Sequence, residues 1–254
     1  MTTLQIYSIL IASGLAVGFL NTLAAGATVI SMTVFMALGI PIVEASGTNR
    51  IAVLLQNLTS TFTFKKQHLL DPKTSFKIAI PIVIGILIGA QFSMMVSETF
   101  FKGCFSAGLA IMIALMVLKP SSWLKESDSG VTPLNTKSFI MLVLSGFYGG
   151  SIYVGVGYFF IAVFVLSMGY DLIRANALKS FIAFVTTPFS LVIFMLNDQV
   201  NYEYGLIHAI GNIIGAYIAA KYATKLGVKF IRLLLILVII LSLLVTFDII
   251  GVKS

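Results

Sequence analysis

Long apolar stretches recur along the chain with short polar breaks between them. Ten such segments lie at 4–24, 28–39, 47–64, 76–96 and 100–118, then at 138–154, 158–169, 172–196, 204–222 and 230–250. Most approach the roughly 20 residues that a helix needs to cross about 30 Å of hydrocarbon. The pattern therefore predicts an all-α, polytopic membrane protein. A polar stretch at 119–137, containing Pro120, Ser121, Ser122, Glu126, Asp128, Gly130 and Pro133, reads as an exposed linker. It divides the chain into a first membrane repeat (1–118) and a second (138–254), each with five helical segments.

The two halves echo each other. Gly14, Gly18 and Gly26 line up with Gly146, Gly150 and Gly157; Gly39 and Ala45 with Gly169 and Ala175; Gly85, Gly89 and Ala90 with Gly211, Gly215 and Ala216. An odd number of segments per half makes the second half enter the membrane from the opposite side, so the expectation is two inverted repeats. Two corresponding segments, 28–39 and 158–169, are too short to span: twelve residues cover only about 18 Å. They are bounded by Ala24-Ala25-Gly26-Ala27-Thr28 and by Gly155-Val156-Gly157. Short or re-entrant helices near the midplane, in matching places of two halves, point to the central site of a transporter. Close helix packing through small residues is the alternative reading.

Composition agrees with lipid as the main solvent. Hydrophobic residues make up 59%, charged residues 10%, and mean hydropathy is +1.05, which excludes an ordinary water-soluble domain. No stretch is left for a soluble catalytic domain, and the N-terminus, lacking a basic n-region, reads as a first membrane helix and not a cleaved signal. The net charge of +7 raises nucleic acid as a partner, but the basic residues sit in loops, where topology accounts for them. If alternate loops share a side, one face holds Lys65, Lys66, Lys73, Lys77, Lys119, Lys125, Lys137, Arg174, Lys221, Lys225, Lys229 and Arg232, and the other only Lys102 and Lys253. The excess marks the cytoplasm. The linker 119–137 is therefore expected in the cytoplasm and both termini outside it, in the cell inner (cytoplasmic) membrane. Cys104, alone in an apolar run, reads as a small buried hydrophobe.

Two basic residues escape the loop count: Arg50 in Ser46-Gly47-Thr48-Asn49-Arg50, and Lys179 in Arg174-Ala175-Asn176-Ala177-Leu178-Lys179-Ser180. Aligning Ala45 with Ala175 pairs Asn49 with Lys179 and leaves Arg50 one place over. An intramembrane cation is a functional candidate by default, with snorkelling to a headgroup as the bland alternative. Ser46, Thr48 and Asn176 are helix-capping residue types, so backbone N–H groups and two helix dipoles are expected to point inward beside the cations. That would be an anion site, with no carboxylate at comparable depth. The candidate substrate-binding residues are Asn49, Arg50, Lys179, Thr48, Gly26, Gly157, Asn176, Asn21, Gln56 and Ser180. Weaker candidates for a path are Thr22, Asn57, Gln91 and Asn212, each equally served by an interhelical hydrogen bond. His208 is a proton shuttle or, in the preferred reading, an interface residue. Tyr153, Tyr158, Phe159 and Phe160 read as packing, with a gate as the alternative.

An intramembrane enzyme is excluded for want of machinery: there is no H-E-x-x-H, no G-x-S-x-G, and only two His and one Cys. Lys179 and Ser180, adjacent on a helix, point apart and make a poor dyad. A purely structural membrane protein would need neither inward cations nor duplicated short helices. No cofactor is expected. The expected partners are a small anionic substrate and membrane lipid, with a homodimer open as an assembly.

With these residues in place, the sequence resembles the sulfite exporter TauE/SafE family of membrane permeases nearly end to end. The resemblance rests on the glycine-spaced first helices of each half, on Ala45 to Arg50 with its echo at Ala175 to Lys179, and on the Gly85–Ala90 and Gly211–Ala216 segments. It implies export or import of sulfite, sulfoacetate or a related sulfur-containing or organic acid, with export the expected direction; the two repeats around a midplane site imply alternating access. An anion channel is the runner-up. The chain departs from the family pattern in having Gly26 among alanines, no Pro in either short segment, and Leu178 where Thr is usual.

Overall fold

The computed structural model describes residues 1–93, 134–151 and 155–246. The fifth segment (100–118), Cys104, most of the linker, Tyr153, the Gln91 side chain and the last residues of the tenth segment fall outside that set. The described residues form helices and no strands. They are α1 (Thr3–Ala24), α2 (Thr28–Ala37), α3 (Ile42–Lys66), α4 (Pro72–Ser93), α5 (Thr136–Ser151), α6 (Val156–Ala162, continued by a π-helical turn at Val163–Ser167), α7 (Leu172–Leu196) and α8 (Tyr202–Thr246). α8 is broken at Gly227, where φ 74° and ψ 163° leave the helical region. It covers the ninth and tenth expected segments.

Among the described residues, three helical stretches, Thr3–Ala24, Pro72–Gly89 and Leu172–Leu196, are long and apolar enough to cross a membrane. Burial is inverted relative to a water-soluble protein. Large apolar side chains face outward on α4 (Ile80, Ile84, Leu87, Ile88) and α8 (Leu206, Ile210, Ile214), while α3 carries a buried column of Thr48, Asn49, Arg50, Gln56, Asn57, Ser60 and Thr61. Lipid accepts the first arrangement and forces the second, because polar side chains in hydrocarbon must find partners inside the protein. α3 packs against both α7 and α8. It runs antiparallel to α7, since Arg50 near its start meets Ser190 and Phe194 near the end of α7.

Two close helix pairs frame this core: α1 along α8, and α4 along α5. Both seams are made of glycines four residues apart. A Cβ added at Gly14 or Gly18 would strike the carbonyl of His208 or Asn212, and one at Gly211 or Gly215 the carbonyl of Ile11 or Leu15. In the second seam, Gly85 and Gly89 lie on the carbonyls of Val143 and Phe147, and Gly146 on that of Ile82. Glycine is needed because backbones in contact leave no space for a side chain, the small-residue packing by which membrane helices associate.

The short segments do not continue the helices before them. The chain reverses after Ala25 and Gly26, and α2 runs back along α1, so that Met32, Phe35 and Ile40 pack with Leu10 and the partly buried Ile6. Across the corresponding break in the second half, the rings of Tyr148 and Phe159 lie 4.7 Å apart. α2 has only 10 residues, which at 1.5 Å each reach about 15 Å. Neither short helix spans hydrocarbon by itself.

Candidate functional site

The two chain breaks meet in the interior. Ala25 and Gly26 have φ of 66° and 77°, Gly155 has φ of 75°, and all three are buried. A side chain at Gly26 would overlap the Tyr158 ring and hydroxyl, and a Cβ at Gly157 would come within 2.7 Å of the Ala25 Cβ and 3.2 Å of the Lys179 Cδ. Gly26 is required twice over, by its left-handed backbone and by Tyr158, which is fully buried.

Lys179 of α7 closes the floor of this junction with 5% of its surface exposed. Its ammonium donates to the Asn21 carbonyl at 2.6 Å, the Thr22 carbonyl at 3.2 Å and Asn176 Oδ1 at 2.9 Å. Asn21 and Thr22 carry carbonyls of the last turn of α1, at the negative end of its dipole; that of Asn21 also accepts from the Ala25 N–H at 3.2 Å. Lys179 therefore caps a helix from another element. All three acceptors are neutral, and among the described residues no carboxylate pairs with it; Asp171 pairs instead with Arg174 at 3.6 Å. Asn21 also donates to Gln56 Oε1 at 3.4 Å. Gln56 Nε2, Thr22 Oγ1 and Ser180 Oγ are buried without a hydrogen-bond partner among the described residues.

Arg50 occupies a different level. It is 4% exposed, donates from Nη1 to Ser190 Oγ at 2.6 Å, and holds its guanidinium 4.5 Å from the centre of the Phe194 ring. It points into the protein and does not snorkel. Ser190 lies about 16 Å beyond Lys179 along α7, so Arg50 and Lys179 do not form one cluster. Beside Arg50, Thr48 Oγ1 accepts from the Asn201 N–H at 2.9 Å. Asn49 is buried, its Oδ1 without a partner among the described residues.

One expectation is overturned: Ser46, Thr48 and Asn176 do not cap helix starts. α3 begins at Ile42 behind Pro41, and α7 at Leu172 behind Asp171, whose carboxylate accepts from the Ile173 and Arg174 N–H groups. Pro and Asp each favour an earlier helix start, which puts the three residues beyond the first turn. Their side chains work inside the bundle instead; Asn176 donates to the Leu172 carbonyl at 2.9 Å and accepts from Lys179. The dipole end that reaches Lys179 is the carbonyl end of α1. His208 of α8 is fully buried against α1 and α2.

A cavity of about 570 Å³ opens at the Lys179 end, lined by His68, Asp71, Lys77, Tyr170 and Arg174, with Leu178, the neighbour of Lys179, at its wall. Hydrogen bonds from Thr74 hold the Asp71 carboxyl below the usual carboxylate range. Burial, and secondarily the Asp71 charge, push the Tyr170 phenol up.

The sequence missed Ser190, Phe194 and Ser31 as partners of the buried ionisable groups. Only their small or aromatic character on helical segments was visible. The Asn21 and Thr22 carbonyls carried no signal, since every residue has one.

An all-helical membrane fold whose polar interior is assembled from two broken chain segments defines the transporter class. The sequence model described as Sulfite exporter TauE/SafE matches residues 10–246. The chain belongs to that family, and it is a membrane transporter, not an enzyme. Among similar proteins, the probable membrane transporter protein ORF9 of a Sinorhizobium species is 27% identical over 87% of this chain and 84% of its own length. A probable membrane transporter protein of Haemophilus influenzae is 23% identical over 90% of this chain and 89% of its own. The probable membrane transporter protein YfcA of Escherichia coli K12 is 23% identical over 87% and 82%.

Proposed function

We propose that this protein exports a small anion, sulfite, sulfoacetate or a related acid, across the inner membrane by alternating access about the junction at Lys179. The observation that carries the reading is Lys179 itself: a buried ammonium, where two chain breaks meet, held among the described residues by neutral oxygens alone. A cation without a carboxylate in low dielectric favours an anionic guest, and an incoming anion can take over one of its three neutral acceptors. The family's description supplies sulfite as the first substrate to test.

The two halves act as inverted repeats. The same sequence interval separates Gly39 from Gly169, Ile42 from Leu172 and His68 from Asp198; both glycines, and both of the last pair, have positive φ. α3 and α7 have equal lengths of 25 residues and run antiparallel. The glycine seams exchange partners as a two-fold axis in the membrane plane demands, since it swaps α1 with α5 and α4 with α8. The basic loops orient the cavity end and the linker toward the cytoplasm and both termini away from it.

The test is flux of radiolabelled sulfite and sulfoacetate in proteoliposomes, comparing wild type with Lys179→Met, Lys179→Arg and Arg50→Met, each checked for folding by gel filtration. Saturable wild-type flux, abolished in Lys179→Met and partly kept in Lys179→Arg, is expected. Unchanged flux and KM in folded Lys179→Met would refute an anion site at this ammonium.

A further inference from the structure

We propose that His208 is the proton-binding site of the transport cycle and that it acts on the anion site through α2; this rests on the transport reading above. His208 is 0% exposed. Its Nδ1 lies 2.9 Å from the Leu10 carbonyl of α1, with Ser13 Oγ further away at 3.4 Å, and its Nε2 lies 2.9 Å from Ser31 Oγ of α2. Phe35, one turn on, meets the imidazole edge-on at 5.0 Å.

These contacts determine the tautomer. A carbonyl only accepts, so the Leu10 oxygen requires a hydrogen on Nδ1. In the neutral ring Nε2 is then the acceptor, and Ser31 donates its hydroxyl hydrogen to it. A proton arriving at Nε2 makes that nitrogen a donor, and Ser31 must rotate its hydroxyl to accept. The proton adds one positive charge and breaks no covalent bond; its release restores the neutral ring.

Packing does not demand a histidine here. In the twin seam the carbonyl under Gly146 belongs to Ile82, as the carbonyl under Gly14 belongs to His208, and Ile82 is likewise fully buried. An aliphatic side chain thus serves one seam where the other has a titratable ring bonded to the short helix α2. The elements packed around the ring carry few ionisable groups among the described residues. Tyr7 of α1 donates to Glu203 at the start of α8, Tyr204 is on the same helix, α2 has no ionisable side chain, and α3 contributes Glu44 and Arg50 at this end.

The route to the anion site runs along α2. Ser31 is in the first turn of α2, immediately after the Ala25–Gly26 break that abuts Tyr158, Gly157 and Lys179. The hydrogen bond that α2 makes with His208 sets the position of this rigid helix and with it one wall of the anion site. Protonation, which reverses that bond, biases the break between its two arrangements.

The experiment uses the full chain in proteoliposomes loaded with pyranine, with valinomycin and potassium holding the membrane potential at zero. Wild type is expected to move protons with labelled sulfite, and its steady-state accumulation should change about tenfold per unit of imposed pH difference for one proton per anion. His208→Gln is expected to retain sulfite counterflow but lose proton movement and the dependence on the pH difference. Ser31→Ala, which keeps the imidazole and removes its partner on α2, is expected to lower the accumulation per pH unit. Sulfite flux without protons in wild type, or unaltered coupling in folded His208→Gln, overturns the assignment while leaving anion transport standing. Unaltered coupling in Ser31→Ala overturns the route through α2. Absence of any sulfite or sulfoacetate flux in wild type overturns both readings.

Discussion

Substituting alanine at Gly14 puts one methyl group into the α1–α8 seam, and the structure indicates what must yield. The new Cβ would sit inside the van der Waals envelope of the His208 carbonyl oxygen and 3.2 Å from the Asn212 backbone nitrogen. Both are helical backbone, so no flexible side chain can swing away. The helices must part by about 1 Å to restore ordinary contact. Overpacking of this kind costs about 1–3 kcal/mol. Alanine returns about 0.5–1 kcal/mol through its better helix propensity, leaving a net destabilisation of about 0–2.5 kcal/mol. The mechanism makes a sharper forecast for pairs. Once Gly14→Ala has opened the seam, Gly211→Ala, whose Cβ meets the Ile11 carbonyl, should cost less than it does alone. Gly14→Ala combined with Gly85→Ala, which lies in the other seam, should be additive to within about 0.5 kcal/mol. Reversible unfolding in mixed micelles by SDS, followed by circular dichroism, measures the five variants and the wild type. Additivity within the α1–α8 seam, or a stabilising Gly14→Ala, would refute backbone contact as the reason for these glycines.

Three further outcomes follow from the geometry. Ser190→Ala removes the hydroxyl that accepts from Arg50 and should cost about 1.5–3 kcal/mol in the same unfolding assay, the range for a hydrogen bond to a charged group; a change below the error of the assay would show that Arg50 does not depend on it. Gly39→Ala meets nothing within 4 Å and pays only for its φ of 87°, about 1–2 kcal/mol, whereas Gly26→Ala also collides with Tyr158 and should lose more, with partial recovery in Gly26→Ala/Tyr158→Leu; equal losses at the two glycines would remove Tyr158 from the account. Asp71 has its carboxyl pKa lowered by Thr74, so its contribution is present above the ordinary carboxylate pKa and is lost as pH falls through the lowered value. Asp71→Asn should therefore flatten the acid limb of a melting-temperature profile below the ordinary carboxylate pKa, and an unchanged acid limb would exclude these hydrogen bonds from Thr74 as its source.

What the sequence by itself determined is what depends on the local solvent. The expected bounds 172–196 coincide with α7, because an apolar run behind Asp171 suits lipid and a helix start at once. The two short segments were legible from length alone, as twelve apolar residues cannot cross hydrocarbon. Their glycine borders were legible because left-handed backbone favours glycine. Local chemistry misplaced the start of α3, where the capping types Ser46 and Thr48 gave way to Pro41 a turn or more earlier. The tertiary structure alone decided which partners these elements found. Lys179 is held by backbone carbonyls that no residue type announces, Arg50 by a serine on another helix, and His208 by Leu10 and Ser31 on two others. In lipid the helices form before they pair, each satisfying its own backbone; the buried charges then depend on which seams close, and that is settled by the fit of glycine against carbonyl across helices far apart in the chain.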